Sequence, residues 1–465
     1  MKRILVVITV LISCWVMPVQ ASLSGRINAI IQSKNKIRFG VRIVNARTGR
    51  AVYEHNAKMP LVPASNMKIV TSAAALHYLG ADYNYVTKVG VVGNTLVVIG
   101  SGDPLLGDQS TDKALGRSQG WLFDDLASVL KNAGIERLGN VILDSTVFDD
   151  ERVHPSWPEA ELNRDYSCEV CGINYNGNSV SLRVTRHGNR VGVAIEPETS
   201  FVTLNNQVRP ITSGSGAVGA YRNPGKPNVW TVKGKCFKQQ GPVGVAIEKP
   251  AAFLGYLLAE QLGNRGIEFT GQLVEMTFVP DRKYRPLVSY KTPLTQCLKR
   301  CNTDSFNLAA ECLAKTIAAQ ANHGSNGSWL LARKRMGRYL QDLGLEPSEY
   351  VLDDASGLSR ENQLSARVLS TVLYSVYKSS DWPLYQDTLA VGGVDGTLDS
   401  DFREARYKGK VLGKTGYIRR VRAFSGVCQT EQGDYLFAIL ANGSDGIKTL
   451  VNGIAKAVMD EYQAK

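Results

Sequence analysis

The chain has 465 residues, 44% of them hydrophobic and 21% charged, which is ample material for a buried core and too much for one ordinary domain. Its formal net charge of +12 comes from Lys and Arg scattered along the sequence with few aromatic-basic clusters, which argues against a nucleic-acid partner and for a solvated basic surface. Nowhere does an apolar stretch reach the ~20 residues a bilayer demands, which excludes a transmembrane segment from the mature chain.

The first residues, Met1-Lys2-Arg3, precede an apolar run over 4–13 and then Val19-Gln20-Ala21-Ser22, the layout of a secretory signal at 1–21 with small residues near the cut. Cleavage after Ala21 leaves 444 residues and, without Lys2 and Arg3, a charge of +10. The expected location is periplasmic or otherwise extracytoplasmic, with peripheral attraction to an anionic envelope. A competing pattern, Leu11-Ile12-Ser13-Cys14, resembles a bacterial lipoprotein signal that would lipidate Cys14; the short apolar run and the Trp15-Val16-Met17 behind it weigh against that reading. Loss of Cys14 leaves seven of the eight cysteines, which is not a disulfide framework. Cys168 and Cys171 form a lone C-x-x-C, readable as a zinc half-site, a redox pair or a local disulfide. With five His and no second C-x-x-C, zinc is weakly supported, and neither a metal nor another cofactor is expected. Cys297, Cys301 and Cys312 stand at or near helical spacing among apolar residues and read as buried structural thiols.

In chain order, Ile27, Ile30 and Ile31 at helical spacing are followed by alternating runs on either side of an Asn-Ala-Arg-Thr-Gly turn, which predicts a helix and then a β-hairpin. After Pro63-Ala64, residues 65–78 form a strongly apolar helix with Ser65 at its opening. Residues 83–286 change character, with short strand-like runs at 89–92, 95–99, 141–143, 179–184, 191–195 and 229–232, interrupted by helices at 121–133 and 251–264. This stretch reads as a β-rich insertion of one or two domains, most simply two nested ones. Helices return at 294–301, 305–321, 328–343 and 365–378. Strands at 410–416, 423–428 and 435–441 and a closing helix at 450–462 complete the chain. The expected architecture is multidomain α/β (α+β), in which 22–82 and 287–465 fold together around one antiparallel sheet flanked by helices.

Three short motifs carry the chemistry. Ser65-Asn66-Met67-Lys68 puts a hydroxyl and an amine on one helical face, where a neutral Lys68 can take the proton as Ser65 attacks a carbonyl. The helix dipole favours the developing alkoxide. The lysine pKa must be lowered for this, by burial and by cations such as Lys414. The motif alone is weak, since S-x-x-K also begins at Ser33, Ser110, Ser128 and Ser375; only Ser65 opens a long apolar helix behind a proline turn. Ser305-Phe306-Asn307 supplies a hydroxyl and an amide, suited to relaying a proton to a leaving nitrogen and to holding substrate or Lys68. Read alone, it is a helix cap at Asp304 or Ser305. Lys414-Thr415-Gly416 is the single K-T-G of the chain, on a predicted strand; it pairs a cation and hydroxyl suited to a carboxylate with a glycine that lets substrate approach the backbone. Alone it would be a turn.

In this order, with 240 positions between the first two serines, the motifs resemble those of β-lactamases and penicillin-binding proteins. More narrowly, the chain resembles the D-alanyl-D-alanine carboxypeptidase/endopeptidase family of low-molecular-mass penicillin-binding proteins, which carries a large insertion between the first two motifs. Gly100-Ser101-Gly102-Asp103-Pro104, Asp354-Ala355-Ser356-Gly357-Leu358-Ser359-Arg360 and Gly393-Val394-Asp395-Gly396-Thr397-Leu398 extend the likeness. The resemblance implies a transpeptidase-like fold and peptidoglycan stem peptides ending in D-Ala-D-Ala as substrates, with β-lactams as covalent inhibitors. It implies Ser65 as nucleophile, Lys68 as base, and Ser305 and Asn307 in proton transfer and positioning. Lys414 and Thr415 would hold the terminal carboxylate, Gly416 would flank them, and the N–H groups of Ser65 and Tyr417 would form the oxyanion hole. Two departures, Phe306 and Tyr417, stand where such motifs often carry Asp or Asn and commonly Ser. A serine β-lactamase and a catalytically silent wall-binding protein are the competing readings. The sequence leaves the oligomeric state open.

Overall fold

The computed structural model describes residues 22–223, 225–321 and 326–463; the expected signal at 1–21, including Cys14, lies outside them. The two ends of the chain meet in one six-stranded, wholly antiparallel sheet. Its order is Ala390–Val391, Val411–Ile418, Val421–Thr430, Gly433–Asn442, Arg38–Asn45 and Ala51–His55. The N-terminal hairpin docks on the last strand along its whole length, from Arg38 opposite Asn442 to Asn45 opposite Tyr435.

The sequence of Gly433–Asn442 explains why this sheet is central. Successive side chains of a strand point to opposite faces, and here both faces are apolar. Phe437, Ile439 and Ala441 face a core with Leu23, Ile27, Ile454 and Val458 of the two terminal helices, Leu23–Gln32 and Lys448–Tyr462. Leu436, Ala438 and Leu440 face the larger core on the other side. A strand buried on both faces reads as a continuous apolar run rather than an alternating one. Met67–Leu79 lies in that larger core and is buried all round from Met67 to Leu76, as a helix apolar on every side must be. Asn307–Ala321, Ala366–Tyr377, Leu294–Asn302 and Trp329–Asp342 pack around it.

The intervening chain builds a five-stranded mixed sheet, ordered Leu273–Glu275, Val141–Asp144, Thr95–Ile99, Asn84–Val92 and Arg285–Pro293, and two three-stranded sheets. The strands that lead out of and back into the helical region, Asn84–Val92 and Arg285–Pro293, pair with each other antiparallel, so the strand runs through position 286 and on to Pro293. Helices Trp121–Asn132 and Pro250–Gly263 lie near their expected bounds. Several strands carry no apolar signal sufficient to predict them: Thr203–Pro210 is largely exposed, Ala217–Asn223 mostly half-buried, Gln239–Ala246 exposed over its first half, and Arg285–Pro293 is interrupted by a register shift at Pro286. A small core of Phe148, Trp157, Cys168, Val170, Leu308, Cys312, Trp329 and Leu358 joins the middle of the chain to its helical part.

All seven described cysteines are free and buried. Cys168 and Cys171 face different cores, which keeps the C-x-x-C from acting as a unit. Burial pushes both thiols up, away from the reactive thiolate. Among the described residues no three His, Cys, Asp or Glu gather as metal ligands, and no helix is long and apolar enough to cross a membrane.

Candidate active site

Ser65 does not open the α-helix itself. Ala64–Asn66 make one 3-10 turn that runs directly into Met67–Leu79, and Ala64 takes a left-handed φ of +47°. Such a turn needs outside support, and it is gripped from two sides. On one, a Cβ at Gly357 (φ +82°) would stand 1.8 Å from the Ala64 carbonyl oxygen. On the other, a Cβ at Gly416 would stand 2.7 Å from the Pro63 carbonyl oxygen, and the Asn66 amide donates to the Lys414 carbonyl at 2.9 Å. Gly416 therefore admits the Ser65 turn against the K-T-G strand, a reason for glycine beside the substrate approach expected of it. Gly357→Ala is expected to push the turn aside and lower kcat/KM roughly 10- to 100-fold, as small misplacements of reacting groups do; steady-state kinetics would check it, and unchanged kinetics would show that the 357 loop yields instead.

Lys68 is fully buried beneath Ser65. Its Nζ donates to Ser65 Oγ at 3.2 Å, Asn307 Oδ1 at 2.6 Å and the Ser356 carbonyl at 2.8 Å. Burial lowers its pKa to about 8, with Cys301, Asp354 and Glu311 pulling the other way. Of the two causes expected from the sequence, burial acts at Lys68, whereas repulsion between the two lysines is felt at Lys414, whose pKa burial and then Lys68 hold well below the ordinary lysine value.

The Ser356 carbonyl is itself positioned. Glu311, wholly buried on the helix that Asn307 begins, accepts from the Ser356 N–H at 2.8 Å, the Ala355 N–H at 3.1 Å and the Trp329 indole at 2.8 Å. Asp354 accepts from Gly357 and Ser359 N–H, both at 2.7 Å, and from the Trp157 indole at 2.9 Å. Burial, then the neighbouring Asp354, raise Glu311 to about 7. Sequence reasoning passed over Glu311, although a lone carboxylate within Leu308-Ala309-Ala310 and Cys312-Leu313-Ala314 was a visible signal.

Ser305 and Asn307 arrive differently from expectation. The helix expected over 305–321 begins at Asn307, and Ser305 precedes it with a left-handed φ of +62°. Asn307 uses both ends of its amide: Oδ1 accepts from Lys68, and Nδ2 donates to the Tyr166 carbonyl at 2.7 Å. Tyr166 belongs to the middle of the chain, 141 positions earlier.

Lys414, Thr415, Gly416 and Tyr417 lie on Val411–Ile418. Strand Val421–Thr430 pairs with this strand throughout, whereas Ala390–Val391 reaches only Leu412 and Gly413 on the other side. Residues 414–418 therefore keep one unpaired edge, where a peptide can add as a strand. Lys414 is fully buried and donates to the Thr415 carbonyl at 2.7 Å; the half-buried Thr415 hydroxyl meets Thr397 Oγ1 at 2.8 Å; Tyr417 is exposed.

Ser65, Ser305, Asn307 and Tyr417 line one open cleft of about 490 Å³, with Lys68 and Lys414 beneath its floor. The other lining residues, unsuspected from sequence, include Glu161, Tyr166, Arg360 and Arg419. Arg360 donates to the Arg419 carbonyl at 3.0 Å. A second cavity of equal volume, lined by Asp112, Arg117, Tyr175 and Arg265 among others, contains no residue of the three motifs. The arrangement presents a hydroxyl with a partly neutral amine beside it, a second hydroxyl, an amide and an open strand edge. Chemically, such a set is suited to acyl transfer.

A family model described as the D-Ala-D-Ala carboxypeptidase 3 (S13) family matches residues 23–465. The chain is 28% identical over 452 residues to a D-alanyl-D-alanine carboxypeptidase of Actinomadura sp. (strain R39), covering 91% of this chain and 81% of that protein. It is 24% identical over 432 residues to the D-alanyl-D-alanine carboxypeptidase DacB of Haemophilus influenzae, covering 86% and 84%. The crystal structure of penicillin binding protein 4 from H. influenzae shares the fold, with a TM-score of 0.79 at 23% identity over 94% of this chain and 99% of that one. With a match that runs from the first described helix to the last residue, the chain belongs to the S13 family of D-Ala-D-Ala carboxypeptidases and is a serine-type peptidase.

Proposed function

We propose that the protein is an exported DD-peptidase that cleaves peptidoglycan stem peptides through an acyl-enzyme on Ser65 and is acylated and inhibited by penicillin. The observation that carries this reading is the contact set of one amine: Lys68 Nζ lies 3.2 Å from Ser65 Oγ and 2.6 Å from Asn307 Oδ1, at the base of an open cleft. Neutral Lys68 takes the Ser65 proton as Oγ attacks the carbonyl of the penultimate D-Ala. The C–N bond breaks, Ser305 relays the proton to the departing D-Ala amine, and water then hydrolyses the Ser65 ester. The N–H groups of Ser65 and Tyr417 stabilise the oxyanion, each worth ~3 kcal/mol in the transition state. Thr415, with Lys414 beneath it, receives the terminal carboxylate.

The cleft wall supports a substrate of mixed charge. Glu161 offers a carboxylate, Arg360 and Arg419 offer guanidiniums, and all three line the cleft that Ser65 opens into. Together they suit a stem-peptide side chain that carries both an amine and a carboxylate. A cross-link joins a D-Ala carbonyl to an amine by the same kind of bond, so endopeptidase cleavage belongs to the same proposal.

Incubation of purified monomeric and cross-linked muropeptides with the protein tests the reading. Mass analysis is expected to show loss of one terminal D-Ala from the monomer and resolution of the dimer. Intact muropeptides, with penicillin released from the enzyme within seconds, would replace the peptidase by a β-lactamase.

A further inference from the structure

Ser305 holds a left-handed backbone that an L-residue with a Cβ disfavours, and a side chain in that state is kept there by its surroundings. The residues around it are anchored from the middle of the chain. Arg300 sends Nε to Asp108 Oδ2 and Nη2 to Asp108 Oδ1, both at 3.0 Å, a two-pronged pairing that fixes the plane of the guanidinium. Its third nitrogen reaches Asp304 Oδ2 at 2.5 Å, and its carbonyl accepts from the Phe306 N–H at 3.0 Å. The same guanidinium lies 4.9 Å from the centre of the Phe306 ring, a cation–π contact. Phe306 in turn packs on Gly177, where a Cβ would come within 3.2 Å of the ring.

The anchor is itself rigid. Asp108 is buried, and its Oδ2 also accepts from the N–H and hydroxyl of Thr111 at 2.9 and 2.6 Å, capping Gln109–Ala114. Asp304 and Phe306, the residues on either side of Ser305, are thus both tied to one guanidinium, and that guanidinium is tied to a carboxylate 192 positions away.

We propose that Asp108 and Arg300 are positioning residues for Ser305: the inserted chain holds the second serine in its left-handed conformation so that its hydroxyl can deliver the proton to the leaving nitrogen. This rests on the reading of Ser305 as proton relay given above. Phe306, in the place where such motifs often carry Asp or Asn, is then the ring that couples the loop to Arg300.

The test compares an amide substrate ending in D-Ala-D-Ala with the matching thioester, whose thiolate leaving group departs without a proton. The variants are Asp108→Asn, Arg300→Lys, which keeps the charge and loses the fork, and Ser305→Ala as reference. In Asp108→Asn and Arg300→Lys, kcat/KM for the amide is expected to fall roughly 10- to 100-fold, a good part of what a general acid contributes, and for the thioester less than about 3-fold. Equal losses on both substrates, or no loss on either, in the two variants would overturn the inference, because a merely structural role does not distinguish leaving groups. A split in Ser305→Ala that is absent from both other variants overturns the inference and leaves the relay standing. No split in Ser305→Ala itself overturns both. Should one variant fail to fold, the other carries the same comparison.

Discussion

Ser65→Ala is expected to abolish covalent labelling by penicillin and to reduce kcat on muropeptides by at least about 10³-fold, the scale on which removal of a nucleophile acts. The fold should survive the change. Ser65 is only partly buried, and its Oγ is one of three acceptors around Lys68; the Asn307 Oδ1 and Ser356 carbonyl contacts at 2.6 and 2.8 Å remain to hold the amine. The amine keeps two of its three acceptors, so the thermal midpoint should move little. Intact-protein mass spectrometry after exposure to penicillin reads the result directly. An adduct on Ser65→Ala would place the nucleophile elsewhere. Ser110, Ser128 and Ser375, the other S-x-x-K serines that lie within helices, are then the first to be examined.

The second large effect is expected at Lys68. Lys68→Arg keeps a permanent cation in a site built for an amine that must lose its proton, and a guanidinium does not do so near neutral pH. The expected loss in kcat/KM is about 10²- to 10⁴-fold, the range of general base catalysis. The pH profile separates this from misfolding. Under the proposed mechanism the neutral amine is the active form, so kcat/KM should rise as pH rises through about 8, the value to which burial lowers the lysine. Lys68→Arg should lose that rising limb. A limb near 8 that persists in Lys68→Arg would assign the base to another group. Folding responds with the same sign. Between about 8 and the unfolded value of 10.5 the unfolded chain binds the proton that the folded chain has released, so this group destabilises the fold below about 8 and does so less as pH rises through that window.

Much of this molecule was legible before its structure. The apolar run at 435–441 is legible as a strand, the strongly apolar 65–78 as a helix, and three motifs in order point to acyl transfer. What these share is locality: periodicity and short spacings act within a few residues, and the chain cannot hide them. The two helices begin at Met67 and Asn307, two residues later than the sequence places them: the left-handed Ala64 is gripped by Gly357 and Gly416, far along the chain, and the left-handed Ser305 lies beside Arg300, which reaches outward to Asp108.

Ser65, Lys68, Ser305, Asn307, Lys414, Thr415, Gly416 and Tyr417 can be proposed as a set from sequence alone, but their surroundings cannot. Depth beneath the cleft floor lowers the pKa of Lys68, the Glu311 carboxylate aims the Ser356 carbonyl at it, and the Tyr166 carbonyl reaches Asn307 across 141 positions. Glu161, Arg360 and Arg419 meet in the cleft only because a core around Phe148, Trp157, Leu308 and Trp329 joins the middle of the chain to its end. Burial and long-range contact are properties of the packed molecule. A sequence records which groups are present, and only packing decides which of them lose water and which of them touch.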